Sequence, residues 1–292
     1  MTRFLVTIPN TESVIPVGLE QGARYVIVSA DGRRATFNDP SDVDHVGFLT
    51  APPTGFDSAD IRESSDVIVE GDGGVHGNFY LGRRPWTLTG MIDPTARGVD
   101  EAAMTLAELV NRRIDKLKRA TRSRLADAIL YWVPQGGVPV QLSARLLGLR
   151  VTERHPKNFL LSMVSADPRI VSSILKDESA AGNAQITARN DGNTPAAWTI
   201  TLRDNWANPT VTNDSTGQII DLTMALAATD VCVIDSRSKT ITKNGSNAYS
   251  ALGFPGSEWF DLIPGDNILT PTGRGTTGTS GTWSVEWRDA WE

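Results

Sequence analysis

From residue 183 to the end, the chain is a run of short strand-like segments. "AWTITL", "PTVTN", "QIIDLTMAL", "VCVID", "KTITKNG", "EWFDLI", "NILTP" and "TWSVEW" follow one another, with Asn, Asp, Gly and Pro clustered between them. Segments this short, at a spacing of roughly ten residues, are the pattern of a β-sandwich or barrel. Asn244–Gly245 signals a hairpin, and Pro264–Gly265 fits the centre of a type II turn. In "TWSVEWRDAW", Trp283, Val285 and Trp287 alternate with Thr282, Ser284, Glu286 and Arg288. That alternation predicts a half-buried strand with its aromatics inward.

The first part of the chain is different. "FLVTI", "RYVIVSADG", "RRATF" and "VGFLT" read as strands, the second and third joined by an Asp31–Gly32 turn. In "PWTLTGMI", Trp86, Leu88 and Gly90 alternate with Thr87, Thr89 and Met91. The "EGDGGVHG" before it has too little apolar surface for a core element and predicts an extended loop or long hairpin. "AILYWV", "VPVQLSARLLGLRVTERH" and "NFLLSMVSAD" continue the strands. The segment "SILKDESAAGNAQ" lacks a strand period, so residues 173–182 are expected as a linker between domains at 1–172 and 183–292.

One long helix is expected at about residues 99–127. Ala103, Leu106, Val110, Ile114 and Leu117 fall on one face. Asp100 and Glu101 stand at its start, and Arg112, Arg113, Lys116, Lys118, Arg119, Arg122 and Arg124 crowd its end. That order suits the helix dipole. The basic run is either a solvated helix end or a surface that meets a polyanion or an acidic neighbour.

Charge and chemistry narrow the function classes. The 292 residues carry 28 Lys/Arg and 34 Asp/Glu, a net of −6, which argues against a dedicated nucleic-acid binder. Cys232 is the lone cysteine and excludes an internal disulfide or a Cys-rich zinc site. His45, His76 and His155 lie far apart, and neither GxSxG nor HExxH occurs. The N-terminus is too short and polar for a signal peptide. No window approaches 18 apolar residues. No catalytic residue, metal ligand or cofactor site is expected, and an enzyme is not.

Three stretches, taken in order, resemble a known family. The first is "GFDSADIRESSDVIVEGDGGVHGNFYLGRRPWTLTGMI" and the second "FLLSMVSADPRIV". The third is "NDGNTPAAWTITLRDNWANPTV" with "WFDLIPGDNIL", where Asn-x-Gly and Pro-Gly-x-Asn frame strands. The chain resembles the siphovirus-type tail component, the distal tail protein of long-tailed bacteriophages. The resemblance implies a mainly β protein with two domains. The first is a β-sandwich-like ring-forming domain with one helix, and the second a galectin-like β-sandwich pointing outward. It implies a virion protein at the tail tip, made in the bacterial cytoplasm. Six copies would form a ring between the tail tube protein and the tail-tip hub, serving as a platform for receptor-binding proteins. DNA would pass through the channel without specific binding, and no membrane contact is implied.

Residues 57–80 are too long and polar a stretch to serve a lone domain. Asp57, Arg62, Asp66, Glu70, His76 and Tyr80 are therefore expected on an arm that reaches the adjacent subunit. Arg112, Arg113, Lys116 and Arg119 are expected on a protein-facing helix end. Residues 183–292 contain no histidine and no clustered His-Asn-Arg set of the galectin sugar site. The competing class is a carbohydrate-binding or adhesion protein using the C-terminal sandwich, whose mark would be an exposed, coplanar aromatic pair.

Overall fold

The computed structural model describes residues 4–7, 14–17, 24–55, 61–67, 74–96, 99–122, 127–134, 137–152, 157–274 and 281–292. The chain divides into two compact units, Met1–Ser173 with Glu292, and Ile174–Trp291.

The N-terminal unit contains β1 (Phe4–Thr7), β2 (Val14–Val17), β3 (Arg24–Val28), β4 (Arg34–Phe37), β5 (His45–Leu49), β6 (Ile61–Val67), β7 (Gly74–Leu81) and β8 (Arg84–Ile92). Two helices follow, α1 (Val99–Ala102) and α2 (Leu106–Thr121), then β9 (Ala128–Val133), β10 (Val140–Val151), β11 (Asn158–Ser165) and β12 (Ile170–Ser172). The main sheet runs β11-β8-β5-β4-β3-β9-β10-β12, with only β4 and β5 parallel among these neighbours. Its path also closes. The first half of β10 pairs β9 from Val140 to Ala144, and its second half pairs β11 from Arg145 to Val151. A β-bulge between Leu146 and Gly148 marks the change of register. An extra residue there bends the strand, so one long strand turns the corner of the sheet.

Alternation decides which face is inside. Trp86, Leu88 and Ile92 of β8 are buried, and Phe159, Leu161 and Met163 of β11 join them. The expected β8 face is therefore the core face. Helix α2 lies against β4 and β5. It buries Leu109, Val110, Ile114, Leu117 and Ala120.

The helix differs from the expectation at both ends. Thr105 begins α2 as its N-cap. Its hydroxyl accepts from the Glu108 N–H at 3.4 Å, and the Glu108 carboxylate accepts from the Thr105 N–H at 2.8 Å. This reciprocal capping box separates α1 from α2, and Arg122 is the C-cap. The single helix of 99–127 is two helices ending at Thr121. Leu106, expected on the buried face, is 54% exposed, and Ala103 lies outside both helices. Leu109 is buried instead.

The C-terminal unit holds β13 (Lys176–Ala181), β14 (Ile186–Asn190), β15 (Trp198–Arg203), β16 (Trp206–Asn213), β17 (Gln218–Asp221) and β18 (Ala225–Leu226). After them come β19 (Val231–Asp235), β20 (Thr240–Lys243), β21 (Ser246–Asn247), β22 (Gly265–Arg274) and β23 (Thr282–Trp287). One sheet runs β13-β23-β15-β19-β20-β21, and the other β14-β22-β16-β17, with β18 on β16. The segment expected as a linker thus contains a strand. β13 pairs β23 from Lys176↔Trp287 to Ala181↔Thr282. Its sequence, KDESAA, has a mostly exposed edge-strand composition, and so shows no hydrophobic alternation.

Trp283, Val285 and Trp287 are buried, as the alternation predicts, and Trp198, Ile200 and Leu202 of β15 are buried with them. The indole N–H of each donates to a backbone carbonyl: Trp198 to Phe260 at 3.0 Å, Trp283 to Ala184 at 3.1 Å and Trp287 to Arg189 at 2.9 Å. A buried indole needs such a partner, which makes these rings structural. The Asn244–Gly245 turn has φ of 50° and 77° and joins β20 to β21, the left-handed pair of a type I′ hairpin.

The Asn-x-Gly and Pro-Gly-x-Asn motifs have structural work of their own. Asn190 is 1% exposed, accepts from Gly192 N–H at 3.0 Å and donates to the Thr194 and Leu262 carbonyls. A Cβ on Gly192 would lie 1.8 Å from the Ala290 carbonyl oxygen, so only glycine fits. Asn267, fully buried, accepts from Ile263 N–H at 3.0 Å and donates to the Ile263 and Gly265 carbonyls. Each asparagine satisfies backbone groups at a buried turn.

Candidate functional site

The described side chains offer little to catalysis. No group of three or more His, Cys, Asp or Glu could hold a metal among the described residues. His45 is buried with its Nε2 3.3 Å from Asp93, as a core pair. His155 lies outside the described residues, and His76 sits on β7. Cys232 is buried, and that burial pushes its thiol up to about 11, far from the range of a reactive thiolate. No described helix is long and apolar enough to cross a membrane. What the chain does offer is surface.

The first surface is a hairpin. β6 and β7 pair antiparallel from Ile61↔Leu81 to Val67↔Gly74 and form a two-stranded sheet of their own. Of the expected arm residues, Arg62 stands opposite Tyr80, Asp66 opposite Val75 and His76 opposite Ser65. Asp57 and Glu70 lie outside the described residues. By sequence, residues 57–72 carry Asp57, Asp60, Glu63, Asp66, Glu70 and Asp72 against Arg62 alone.

The second surface is the basic end of α2, and here one expectation is corrected. Arg113 does not face outward. It is 4% exposed, and its guanidinium donates to the His45 carbonyl at 2.9 Å, the Thr95 carbonyl at 3.2 Å and the Glu101 carboxylate at 2.8 Å. It points into its own unit because position 113 shares the helix face of Val110, Ile114 and Leu117. It ties α2 to β5 and to the segment around α1.

Arg112, Lys116 and Arg119 lie on the other face, where spacings of four and three residues align them. They line an open groove of about 690 Å³ together with Arg33 and Arg34. Two carboxylates, Asp44 and Asp115, share that lining. Arg33 pairs with Asp31 at 2.9 Å, Arg34 with Asp42 at 3.6 Å and Lys116 with Asp44 at 3.2 Å. Among the described residues, the Arg112 side chain donates to the Met104 sulfur at 3.8 Å. Arg112 and Arg119 have no ion-pair partner among the described residues. Sequence reasoning missed Arg33 and Arg34. Their signal was present: two arginines directly after the Asp31–Gly32 turn, where a hairpin projects side chains beside the helix.

A third surface was anticipated only as a type. The rings of Tyr249 and Trp259 lie 6.5 Å apart at 13°. Tyr249 is 41% exposed and Trp259 half-buried.

Residues 191–291 match the family model of the siphovirus-type tail component, C-terminal domain. No curated protein sequence matches the chain. Among solved structures, the SPP1 Dit (gp 19.1) protein is similar with 13% identity and a TM-score of 0.63, over 92% of this chain and 99% of that one. It is described as a paradigm of the hub adsorption apparatus in phages that infect Gram-positive bacteria. A chain of the phage P2 baseplate, activated with Ca, has 9% identity and a TM-score of 0.45, over 90% of this chain and 97% of that one. The same baseplate with Sr gives 10% identity and 0.43, over the same shares. The first likeness spans both units, and the family is a structural one, not a family of enzymes. Residues 191–291 thus match the C-terminal domain of the siphovirus-type tail component, and the chain as a whole has the fold of the SPP1 Dit protein.

Proposed function

We propose that six copies of this chain close into a ring at the distal end of a siphophage tail. The N-terminal units form the ring between the tail tube protein and the tail-tip hub. The C-terminal units, galectin-like in build, are attachment points for receptor-binding proteins, and DNA passes through the channel without being gripped. The observation that carries this reading is the hairpin β6–β7, which pairs with no other strand of its own chain among the described residues. A closed ring needs one patch to meet a different patch on the next copy, and a free-standing hairpin is such a patch. The basic face of α2 supplies another, with Arg112, Lys116 and Arg119 outward. Near-balanced charge over residues 1–178, 21 Lys/Arg against 22 Asp/Glu, favours a lining that lets DNA slide.

Mass measurement in solution tests the ring. Six chains of 31.6 kDa give about 190 kDa. Deleting residues 66–78 is expected to leave a folded monomer. An unchanged oligomer after the deletion refutes the arm.

A second reading, sugar binding by the C-terminal unit, has one observation in its favour: the near-parallel, partly exposed pair of Tyr249 and Trp259. Aromatic faces stack on sugar rings through apolar contact. Glycan binding that Trp259→Ala abolishes supports it, and no binding by the unmodified protein refutes it.

A further inference from the structure

The groove beside α2 carries more positive charge than its own unit neutralises. Five cations line it against Asp44 and Asp115. Arg33, Arg34 and Lys116 are each held by a carboxylate within 4 Å. Among the described residues Arg112 and Arg119 are not, and both are exposed. They stand seven positions apart on one helix face, two turns or about 10 Å along the axis. Arginine presents a planar fork that matches an oxyanion. Two free forks in line along an open groove fit a chain that bears several anionic groups at intervals, rather than one small ion.

The same molecule carries such a chain. Residues 57–72 hold six acids against Arg62. Their only described strand, β6, pairs with β7 and with nothing else among the described residues. We infer that the groove formed by α2 and the β3–β4 turn receives the acidic arm, residues 57–72, of a second copy of this chain. The contact is heterologous, arm to groove, and so propagates from copy to copy until a ring closes. It rests on the ring reading above and adds the partner and chemistry of the contact: carboxylates of the arm on Arg112 and Arg119, with Lys116 and the Arg33–Arg34 pair beside them.

Charges at an exposed rim act mainly on recognition and are screened by salt. Assembly is thus expected to weaken as salt rises from about 0.05 to 0.5 M. The test is charge exchange in the full chain. Arg112→Glu with Arg119→Glu should raise the protein concentration needed for half-assembly at least tenfold, with the thermal unfolding midpoint little changed, since neither side chain is buried. Adding Glu63→Lys, Asp66→Lys and Glu70→Lys to the same chain should restore assembly, because the arm then carries four cations against three acids and meets a groove with four carboxylates against three cations. The milder Arg112→Gln with Arg119→Gln should give an intermediate loss and guards against a misfolded reversal. A second measurement titrates a synthetic hairpin of residues 57–81 onto each variant.

Assembly indifferent to reversal, or loss without rescue, overturns the groove while leaving the ring intact. A chain that stays monomeric, yet binds the synthetic hairpin through Arg112 and Arg119, refutes the ring and keeps the groove. A monomer that binds no hairpin refutes both. A short DNA duplex that binds the unmodified chain at the same salt and displaces the hairpin assigns the groove to phosphates and overturns the carboxylate partner.

Discussion

Replacing Arg113 by methionine separates the clamp from the docking face. The change keeps a long apolar stem and removes a guanidinium that makes three hydrogen bonds, at 2.8, 2.9 and 3.2 Å. Each hydrogen bond to a charged group contributes about 1.5–3 kcal/mol, and breaking a buried pair costs about 3–5 kcal/mol. Two features pull the figure to the lower end. The Glu101 side chain keeps 16% of its surface open to water, and Thr95 is exposed. The His45 carbonyl lies in the core and gains no water. The expected loss is about 3 kcal/mol in the N-terminal unit. Arg112→Met, one residue away on the solvent face, should cost less than about 0.5 kcal/mol. Urea denaturation at a protein concentration that keeps the chain monomeric measures both. Amide hydrogen exchange in α2 and β5 reads the N-terminal unit apart from the other. A cycle with Glu101→Gln should show coupling of at least about 1 kcal/mol. A loss under about 1 kcal/mol for Arg113→Met, or an equal loss for Arg112→Met, would refute the clamp.

Four further expectations are open to measurement. Thr105→Ala breaks the capping box and should destabilise the N-terminal unit by about 1 kcal/mol, which a urea midpoint would show. Cys232, its thiol pushed up to about 11, should resist a disulfide reagent at pH 8 until the C-terminal unit unfolds; fast labelling of the native chain would contradict its burial. Hydrogen bonds from Lys176 and Arg189 hold Asp191 below the usual carboxylate range, and those from Lys243, the Ala227 N–H and Asn244 hold Asp230 there. With folded values below the unfolded value of about 3.9, this stabilisation is full above about pH 5 and fades as pH falls through the folded values; acid titration of Asp191→Asn with Asp230→Asn should show a flatter acid limb. A fragment of residues 174–292 is expected to fold alone, with protease cutting before Lys176 rather than within β13; a fragment that stays unfolded would show that the unit depends on the other.

How much of this was legible in the sequence depended on where local signals agreed with tertiary ones. The β8 and β23 alternations were plain because a strand with one buried face writes its period directly into side-chain type. The start of α2 was also written there, as Thr105 followed three residues on by Glu108, but the apolar spacing running back to Ala103 masked it. Periodicity alone cannot see a helix break between residues that keep the phase. β13 was invisible for the opposite reason: an edge strand covered on one side needs no hydrophobic face, and KDESAA has none. Arg113 was misjudged because a basic run near a helix C-terminus satisfies the dipole whichever way its members point. Only the helical phase set by Val110, Ile114 and Leu117 separates Arg113 from Arg112. That phase was available in the sequence, and applied residue by residue it would have turned Arg113 inward.

The same phase argument gives the chain its division of labour. A protein whose work is contact has no cluster of perturbed acids and bases to mark its site. Its mark is charge or apolar surface that its own fold leaves unmatched. In the C-terminal unit several charged groups answer one another: Lys176 with Asp191 and Asp289, Arg189 with Asp191 and Asp266, Lys243 with Asp230. Its buried tryptophans and the Asn190 and Asn267 hubs are satisfied internally as well. The same unit carries the partly exposed aromatic pair of Tyr249 and Trp259. In the N-terminal unit, Arg24 pairs with Asp39 and Arg113 with Glu101, while Arg112 and Arg119 have no carboxylate partner among the described residues. A cation that a fold leaves without a carboxylate contributes no ion pair to that fold, whatever it adds through the helix dipole. It gains its value when a second molecule brings the carboxylate. If the proposed ring is right, Arg112 and Arg119 are where the N-terminal unit would meet such a carboxylate, and reversing their charge is the direct check.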